Sequence, residues 1–341
     1  MNVIFNWMDT LLRGIGVSGS WPVIIYGVII GLAVLIFLAL AVLWIIYMER
    51  KVMGHMQHRM GPNVTGPLGL LQTVADALKV LQKEDIIPAN ADRKMFRLGP
   101  MIVFFAAGML YAVLPFAPGV ILSDVNIGLL YFVSIASLTS LGILSSGWGS
   151  NNKYALVGGM RSVAQIVSYE VPLVLSLLGV VMLSGTLSTG EIVRQQSKVW
   201  FIVYQPLAFL IYFFAGLAEV NSKPFDLPEG ESEIIAGFNI EYSGMRFALF
   251  YLSEYANLFA LAALMTTLFL GGWQGPVLPG FVWFLIKTLV MAWVLLWVRA
   301  TWVRFRIDQV MAFSWKVLLP LSLLNVFITA GEVILLRGIG G

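Results

Sequence analysis

Eight apolar stretches, at about 21–48, 100–122, 126–144, 155–183, 200–218, 247–270, 279–298 and 315–336, decide what this chain can fold into. Each is near the ~20 residues that a helix needs to cross the ~30 Å hydrocarbon core of a bilayer. Backbone polar groups have no water partner in lipid, so each stretch is expected to be helical throughout. The chain has 341 residues, 59% hydrophobic and 11% charged, against about 25% charged in a soluble domain. The expected fold class is an all-α integral membrane protein, a single membrane domain over 1–341 built as a bundle of eight transmembrane helices. No internal repeat is visible at the level of letters.

The segments between the stretches refine this picture. Residues 1–19 lack the basic-then-apolar order of a cleavable signal. Ile4, Met8, Leu11 and Ile15 recur there at helical spacing, which predicts a short N-terminal interfacial helix. The long polar loop after the first stretch opens on MGPNVTGP, which is turn material. It continues as LGLLQTVADALKVLQKE, where Pro67 suits a first helical turn and Leu71, Val74, Ala75, Leu78 and Leu81 share a face. That stripe is too short to span and predicts an amphipathic helix lying on the membrane surface or against a partner. Loop charge sets orientation. Fourteen basic residues lie in the loops after spans one, three, five and seven, against four on the other side. The expectation is therefore cytoplasmic odd-numbered loops, with both termini on the outer side.

Several chemistries are excluded. Without a cysteine the chain can build neither a disulfide nor a thiolate-held iron–sulfur cluster. Two histidines, His55 and His58, are too few for a haem or zinc site. No metal site is expected here, and electrons have to arrive from elsewhere. Nothing points to nucleic acid; the lipid bilayer is the evident partner.

Charge is then informative wherever it enters the apolar region. AEVNSKPFDLPEGESEIIAGFNIEYSG, between spans five and six, holds Glu219, Asp226, Glu229, Glu231, Glu233 and Glu241, six of the eighteen acids. Acids at a helix start on a solvated loop are one reading. Mutually repelling carboxylates that exchange protons near neutral pH are the other. Glu170 lies about 22 Å into span four, near mid-membrane, where an acid is functional by default. Pro172 frees the carbonyl of Ser168 as an acceptor. Arg161 is out of phase with Glu170 on the helix, so each needs a partner elsewhere. Glu254 in span six and Lys287 in span seven complete a possible polar file with Glu170 and Glu219. Arg299, Arg304 and Arg306 beside Asp308 read either as a positive-inside anchor or as counter-charge for the acidic loop.

ERKVMGHMQHRMGPNVTGPLGLLQTVADALKVLQKE, SYEVPL, AEVNSKPFDLPEGESEIIAGFNIEYSGMRFALFYLSEY and VRFRIDQVM, in that order, resemble the H-type membrane subunits of respiratory complex I as a family. Complex I is the proton-pumping NADH:quinone oxidoreductase, and the resemblance covers essentially the whole chain. It implies eight spans at the junction of the membrane and hydrophilic arms. It also implies a quinone chamber completed by a hydrophilic quinone-site subunit. By motif, Glu49, Arg50 and Arg59 would lie at the chamber mouth and wall. Asp226, Glu229, Glu231, Glu233 and Glu241 would line its inner end, with Arg299, Arg304, Arg306 and Asp308 in the basic loop beside it. Glu219, Glu170 and Glu254 would start a charged file toward antiporter-like and small membrane subunits. Arg161 and Lys287 join that proton path by position alone.

The resemblance makes quinone the bound substrate and assigns FMN and iron–sulfur clusters to partner subunits of the peripheral arm. The chain would be a non-redox subunit with no complete active site, in a bacterial inner membrane. A membrane component of an energy-converting hydrogenase and a stand-alone proton-coupled transporter are the alternatives. Replacing Glu231 by Gln is expected to lower quinone reduction while sparing electron transfer to artificial acceptors, as enzyme assays on membranes would measure.

Overall fold

A computed structural model describes residues 21–228 and 230–339; the expected helix over 1–19 and Glu229 lie outside them. The described residues form helices joined by turns and loops. Helix α1 (Trp21–Met56) is 36 residues long and runs eight residues past the expected end at 48. It takes Glu49 and Arg50 into its last turns, because Glu49 is buried there against cationic and phenolic partners. A 3-10 turn (Pro67–Gly69) precedes α2 (Gln72–Gln82). The amphipathic helix thus starts five residues later than Pro67, after a turn held by left-handed Gly66 and Gly69. Its Leu71, Val74, Leu78 and Leu81 stripe is exposed.

Helix α3 (Arg93–Leu110) starts before Pro100, not at it. The Asp92 side chain caps it by accepting from the backbone amides of Lys94 at 2.9 Å and Met95 at 3.4 Å, a donor pair that would otherwise be orphaned. The expected run to 122 ends early at a 3-10 turn, Tyr111–Val113, since Pro115 and Pro118 cannot continue the ladder. Then come α4 (Gly128–Gly149) and α5 (Lys153–Ser184), the latter closed by left-handed Gly185. A short α6 (Thr189–Gln195) lies between spans.

The expected span 200–218 is broken. It forms α7 (Phe201–Tyr204) and α8 (Pro206–Glu219), with Gln205 between them. Pro206 has no amide hydrogen, so the carbonyl of Ile202 lacks its helical donor. The acidic loop holds α9 (Glu231–Ile234) and a 3-10 turn, Gly237–Asn239. It leads into α10 (Gly244–Phe269) and α11 (Gly280–Thr301). The last span is α12 (Ile307–Phe313), a π-helical turn (Ser314–Leu318) and α13 (Leu319–Ile339). Among the described residues seven helices are long and apolar enough to cross a membrane, and Pro206–Glu219 is a shorter apolar one.

Tyrosines hold the bundle together where lipid offers no hydrophobic drive between helices. The Tyr111 hydroxyl donates to Ala256 O at 2.8 Å and the Tyr169 hydroxyl to Val310 O at 2.7 Å, both from buried rings. The first polar loop and the acidic loop meet on one side. Arg246 pairs with Asp85 at 3.1 Å, Ser243 Oγ donates to Glu84 O at 3.1 Å, and Tyr242 stacks on Phe96 at 4.1 Å.

Gly237 is the tightest point of the acidic loop. Its φ is +54°, and a Cβ there would sit 1.7 Å from Pro228 O. Gly237→Ala combines left-handed strain with a backbone clash and is expected to cost at least about 1–3 kcal/mol. The check is a lower melting temperature of the detergent-solubilised protein, with Gly31→Ala, which meets nothing within 4 Å, as the harmless control.

Candidate functional site

Three charged side chains from three helices converge beneath the loops. Arg299, near the end of α11, places Nε 3.2 Å from Glu49 Oε1 of α1 and Nη1 2.8 Å from Glu254 Oε1 of α10. Their side chains are only 13%, 8% and 17% exposed, respectively. The Tyr255 hydroxyl donates to the other Glu49 oxygen, and the Arg299 guanidinium lies 5.7 Å over the Tyr255 ring. Two carboxylates on one guanidinium leave a net negative charge in a poorly solvated place.

Glu49, Arg299 and Tyr255 of this cluster form one wall of a cavity of about 810 Å³. Glu49, Arg50, Asp226, Tyr251, Arg299 and Arg304 are among its lining residues. A volume in the 300–1,000 Å³ range suits a small organic ligand. Asp226 and Glu254 lie near enough to interact electrostatically. Lys223 and Trp302 also line the space, so it has cationic, anionic and aromatic faces.

The acidic loop is pinned over the cavity from α5. Arg161 Nη1 is 2.5 Å from Glu233 Oε2, and Arg304 Nη2 is 3.7 Å from the same oxygen. The out-of-phase Arg161 therefore finds its partner in the loop. Gln165, fully buried on α5, donates from Nε2 to Ala218 O at 2.6 Å and Phe225 O at 2.7 Å. It staples the end of α8 to the start of the loop. An amide in an apolar run carries no signal in sequence, and Gln165 was not legible there. Asn152 Nδ2 donates to Glu241 Oε1 at 2.7 Å, and Glu231 opens α9.

Below the large cavity lies a smaller one of about 40 Å³, lined by both Glu219 and Glu254, with Asn221, Asn257 and Tyr251. A neighbouring void of about 20 Å³ is lined by Glu219, Asn257 and Thr139. At roughly 10–15 Å³ of accessible volume per water, the two have room for a short file of water molecules. Glu170, half-buried on α5, is close enough for its charge to reach Glu219. The acids thus line up as Glu49 and Asp226, Glu254, Glu219 and Glu170.

Other residues lie apart. Lys287 donates to Leu270 O at 2.6 Å, Gly272 O at 3.3 Å and Gln274 O at 2.6 Å, with its ammonium 4.4 Å over Trp200. It closes the far end of α10, sixteen residues beyond Glu254 and so about 24 Å along the helix. Arg59 is exposed and bonds Gln57 Oε1 at 2.6 Å. Arg306 pairs with its neighbour Asp308 at 2.7 Å, both side chains exposed. Arg50 reaches across to Asp76 of α2 at 2.5 Å. Partial burial draws the Asp76 carboxyl upward, but bonding and charge from Arg50 outweigh it and hold it low. Among the described residues no group of three or more His, Cys, Asp or Glu is placed to hold a metal ion.

Arg299→Gln strands two buried carboxylates, a change that costs about 3–5 kcal/mol when one partner of a buried pair is removed. The expected outcome is a marked loss of thermal stability in detergent. Adding Glu254→Gln to Arg299→Gln is expected to recover part of it, measured by the same melting curves.

The comparisons with known proteins agree with one another. The model of a family described as NADH dehydrogenase matches residues 29–330. A protein of Dehalococcoides mccartyi (strain CBDB1), named as the H-type subunit of NADH-quinone oxidoreductase, is 58% identical over 299 residues, 88% of this chain and 84% of the relative. The protein of the same name from Geobacillus sp. (strain WCH70) is 53% identical over 331 residues, 95% of this chain and 98% of its own. That of Bacillus cereus (strain B4264) is 51% identical over the same shares. The chain belongs to the NADH dehydrogenase family, alongside bacterial proteins named as the H-type subunit of NADH-quinone oxidoreductase.

Proposed function

We propose that this chain is the membrane subunit of a proton-pumping NADH:quinone oxidoreductase, supplying the membrane side of its quinone chamber and coupling quinone reduction to proton translocation. The single observation that carries the reading is the 810 Å³ cavity walled by Arg299 and Glu49, whose shared partner Glu254 lines the small cavity beside it. Its position next to the smaller acid-lined cavities is what a coupling subunit requires. Span 200–218 counts as an eighth, broken crossing in this reading. The loops holding the chamber face the cytoplasm of a bacterium, and both termini face the periplasm.

The physics follows from charge. Reducing the quinone to a quinol takes two electrons, delivered from flavin and iron–sulfur groups in partner subunits, and two protons. Negative charge that forms on the headgroup before protonation is poorly screened in the cavity. It raises the proton affinity of Asp226 and of the Glu49–Arg299–Glu254 cluster. Because Glu254 already shares one cation with Glu49, a proton is accommodated there without breaking the ion pair completely. Uptake at Glu254 changes the field at Glu219 across the small cavity, and Glu219 in turn acts on Glu170. Asp226, Glu229, Glu231, Glu233 and Glu241 supply the loop that senses the headgroup. Arg161 and Arg304 fix that loop through Glu233. The chain carries no redox group of its own; its part is field and proton affinity.

The partners in this reading are hydrophilic quinone-site and iron–sulfur subunits over the loops, and small and antiporter-like membrane subunits beside the bundle. Purification through a tag on this chain in gentle detergent, with mass spectrometry and a quinone-reduction assay, tests it. Co-recovery of flavin and iron–sulfur subunits with NADH-driven quinone reduction is the expected outcome. Recovery beside a nickel–iron subunit with hydrogen evolution would move the chain to a related hydrogenase. A lone chain transporting solute with protons would overturn both.

A further inference from the structure

The outer half of the bundle contains a buried polar seam that the chamber does not use. It lies between α5 and α13 and starts where the π-helical turn begins. Ser314 Oγ donates to Ser168 O at 2.6 Å. That carbonyl is the one Pro172 frees, so a side chain of the neighbouring helix occupies the acceptor.

Eleven residues further along α5 is Gly179, and eleven further along the last span is Asn325. A Cβ at Gly179 would sit 2.8 Å from Gln205 Oε1 and 2.9 Å from Asn325 Nδ2. The two helices therefore run in the same direction and in step from Ser168–Ser314 to Gly179–Asn325. Ser176 and Ser322, eight residues along each, stand at the same level between these contacts. Both are fully buried.

At the outer end of the seam the break in the fifth crossing is filled. Asn325 Nδ2 donates to Gln205 Oε1 at 3.0 Å. Gln205 Nε2 donates to Thr329 Oγ1 at 2.8 Å and to Glu332 Oε2 at 3.3 Å. Thr329 Oγ1 donates to Asn325 O at 2.7 Å. Gln205, Asn325 and Thr329 are 1%, 3% and 0% exposed, while Glu332 is half-buried. Ser322, Asn325, Thr329 and Glu332 recur at spacings of three, four and three, so all four lie on one face of α13. Glu332 stands eighteen residues beyond Ser314, about 27 Å along the helix axis and three residues before the end of the apolar span.

Small hydroxyls and amides between transmembrane helices often act only as glue. Two features here go further. The seam ends on an ionisable carboxylate that is partly open, and an intramembrane helix break with polar filling marks ion pathways in membrane proteins. The other end lies two residues from Glu170. We propose that Glu332 is a proton-exchange site on the outer side, reached from the level of Glu170 through the α5–α13 seam, and that Gln205 holds its carboxylate in place. Glu332 accepts a proton arriving along hydroxyl groups and water between the two helices and releases it to the outer aqueous phase. The seam is thus an outlet separate from the acid file under the chamber. This inference rests on the reading of the chain as a coupling subunit.

The test uses the assembled enzyme in inverted membrane vesicles, reading NADH-driven quinone reduction and proton uptake together. Glu332→Gln keeps an acceptor for Gln205 but cannot ionise. Thr329→Val removes the hydroxyl and keeps the shape. Both are expected to lower the protons moved per electron while quinone reduction stays within about twofold of the parent. A parental proton-to-electron ratio in both variants overturns the outlet and leaves the chamber reading intact. Equal loss of assembly, reduction and pumping in Glu332→Gln makes the carboxylate a structural group, which also overturns it. A parent enzyme that does not reduce quinone refutes instead the reading on which the inference rests.

Discussion

One guanidinium shared by two carboxylates organises the end of this molecule that carries its two long polar loops. Arg299, Glu49 and Glu254 come from α11, α1 and α10, and no two are near in sequence. Desolvating three charges is unfavourable, and their mutual attraction offsets it only when the geometry holds all three together. That requirement fixes how α1, α10 and α11 meet beneath the loops. It also draws α1 eight residues past the point where its apolar run stops. The cavity wall, the position of Tyr255 and the approach of Asp226 follow from this junction.

The bundle is otherwise held by hydrogen bonds that replace a missing hydrophobic drive. Tyr111 and Tyr169 reach backbone carbonyls of distant helices. Gln165 binds the end of α8 and the start of the acidic loop at once. Each such bond contributes only about 1 kcal/mol net, yet leaving its buried carbonyl unpaired costs about 1–3 kcal/mol. The loop is accordingly defined by a few side chains below it rather than by its own secondary structure, which is limited to one helical turn and one 3-10 turn.

How much of this was legible in the sequence depends on the range of the interaction. Apolar length alone located the seven long apolar helices of the described residues, because that property is local and the bilayer sets its scale. The freed carbonyl at Ser168 was also readable, since Pro172 acts within one turn; its partner Ser314, 146 residues away, was not. The break at Gln205 was missed because a single amide barely lowers the hydropathy of its run. The reason for the break, an amide network with Asn325, Thr329 and Glu332, is long-range. Glu254 and Arg299 were each singled out as charges, one for a proton file and one for a basic loop. Only three-dimensional packing makes them a pair. Lys287 shows the opposite case: position in a span suggested a place among the acids, whereas its length lets it reach three carbonyls at the far end of the neighbouring helix.

That lysine has a mechanical consequence. Helices α10 and α11 are riveted at two levels, by Lys287 on the carbonyls after α10 and by Arg299 on Glu254. Two rivets some 24 Å apart along α10 suppress both sliding and splaying of the pair. The wall of the large cavity that they form is thereby a stiff plate. A change in the cavity's shape then has to come from the acidic loop, where Arg161 and Arg304 meet on the single carboxylate of Glu233.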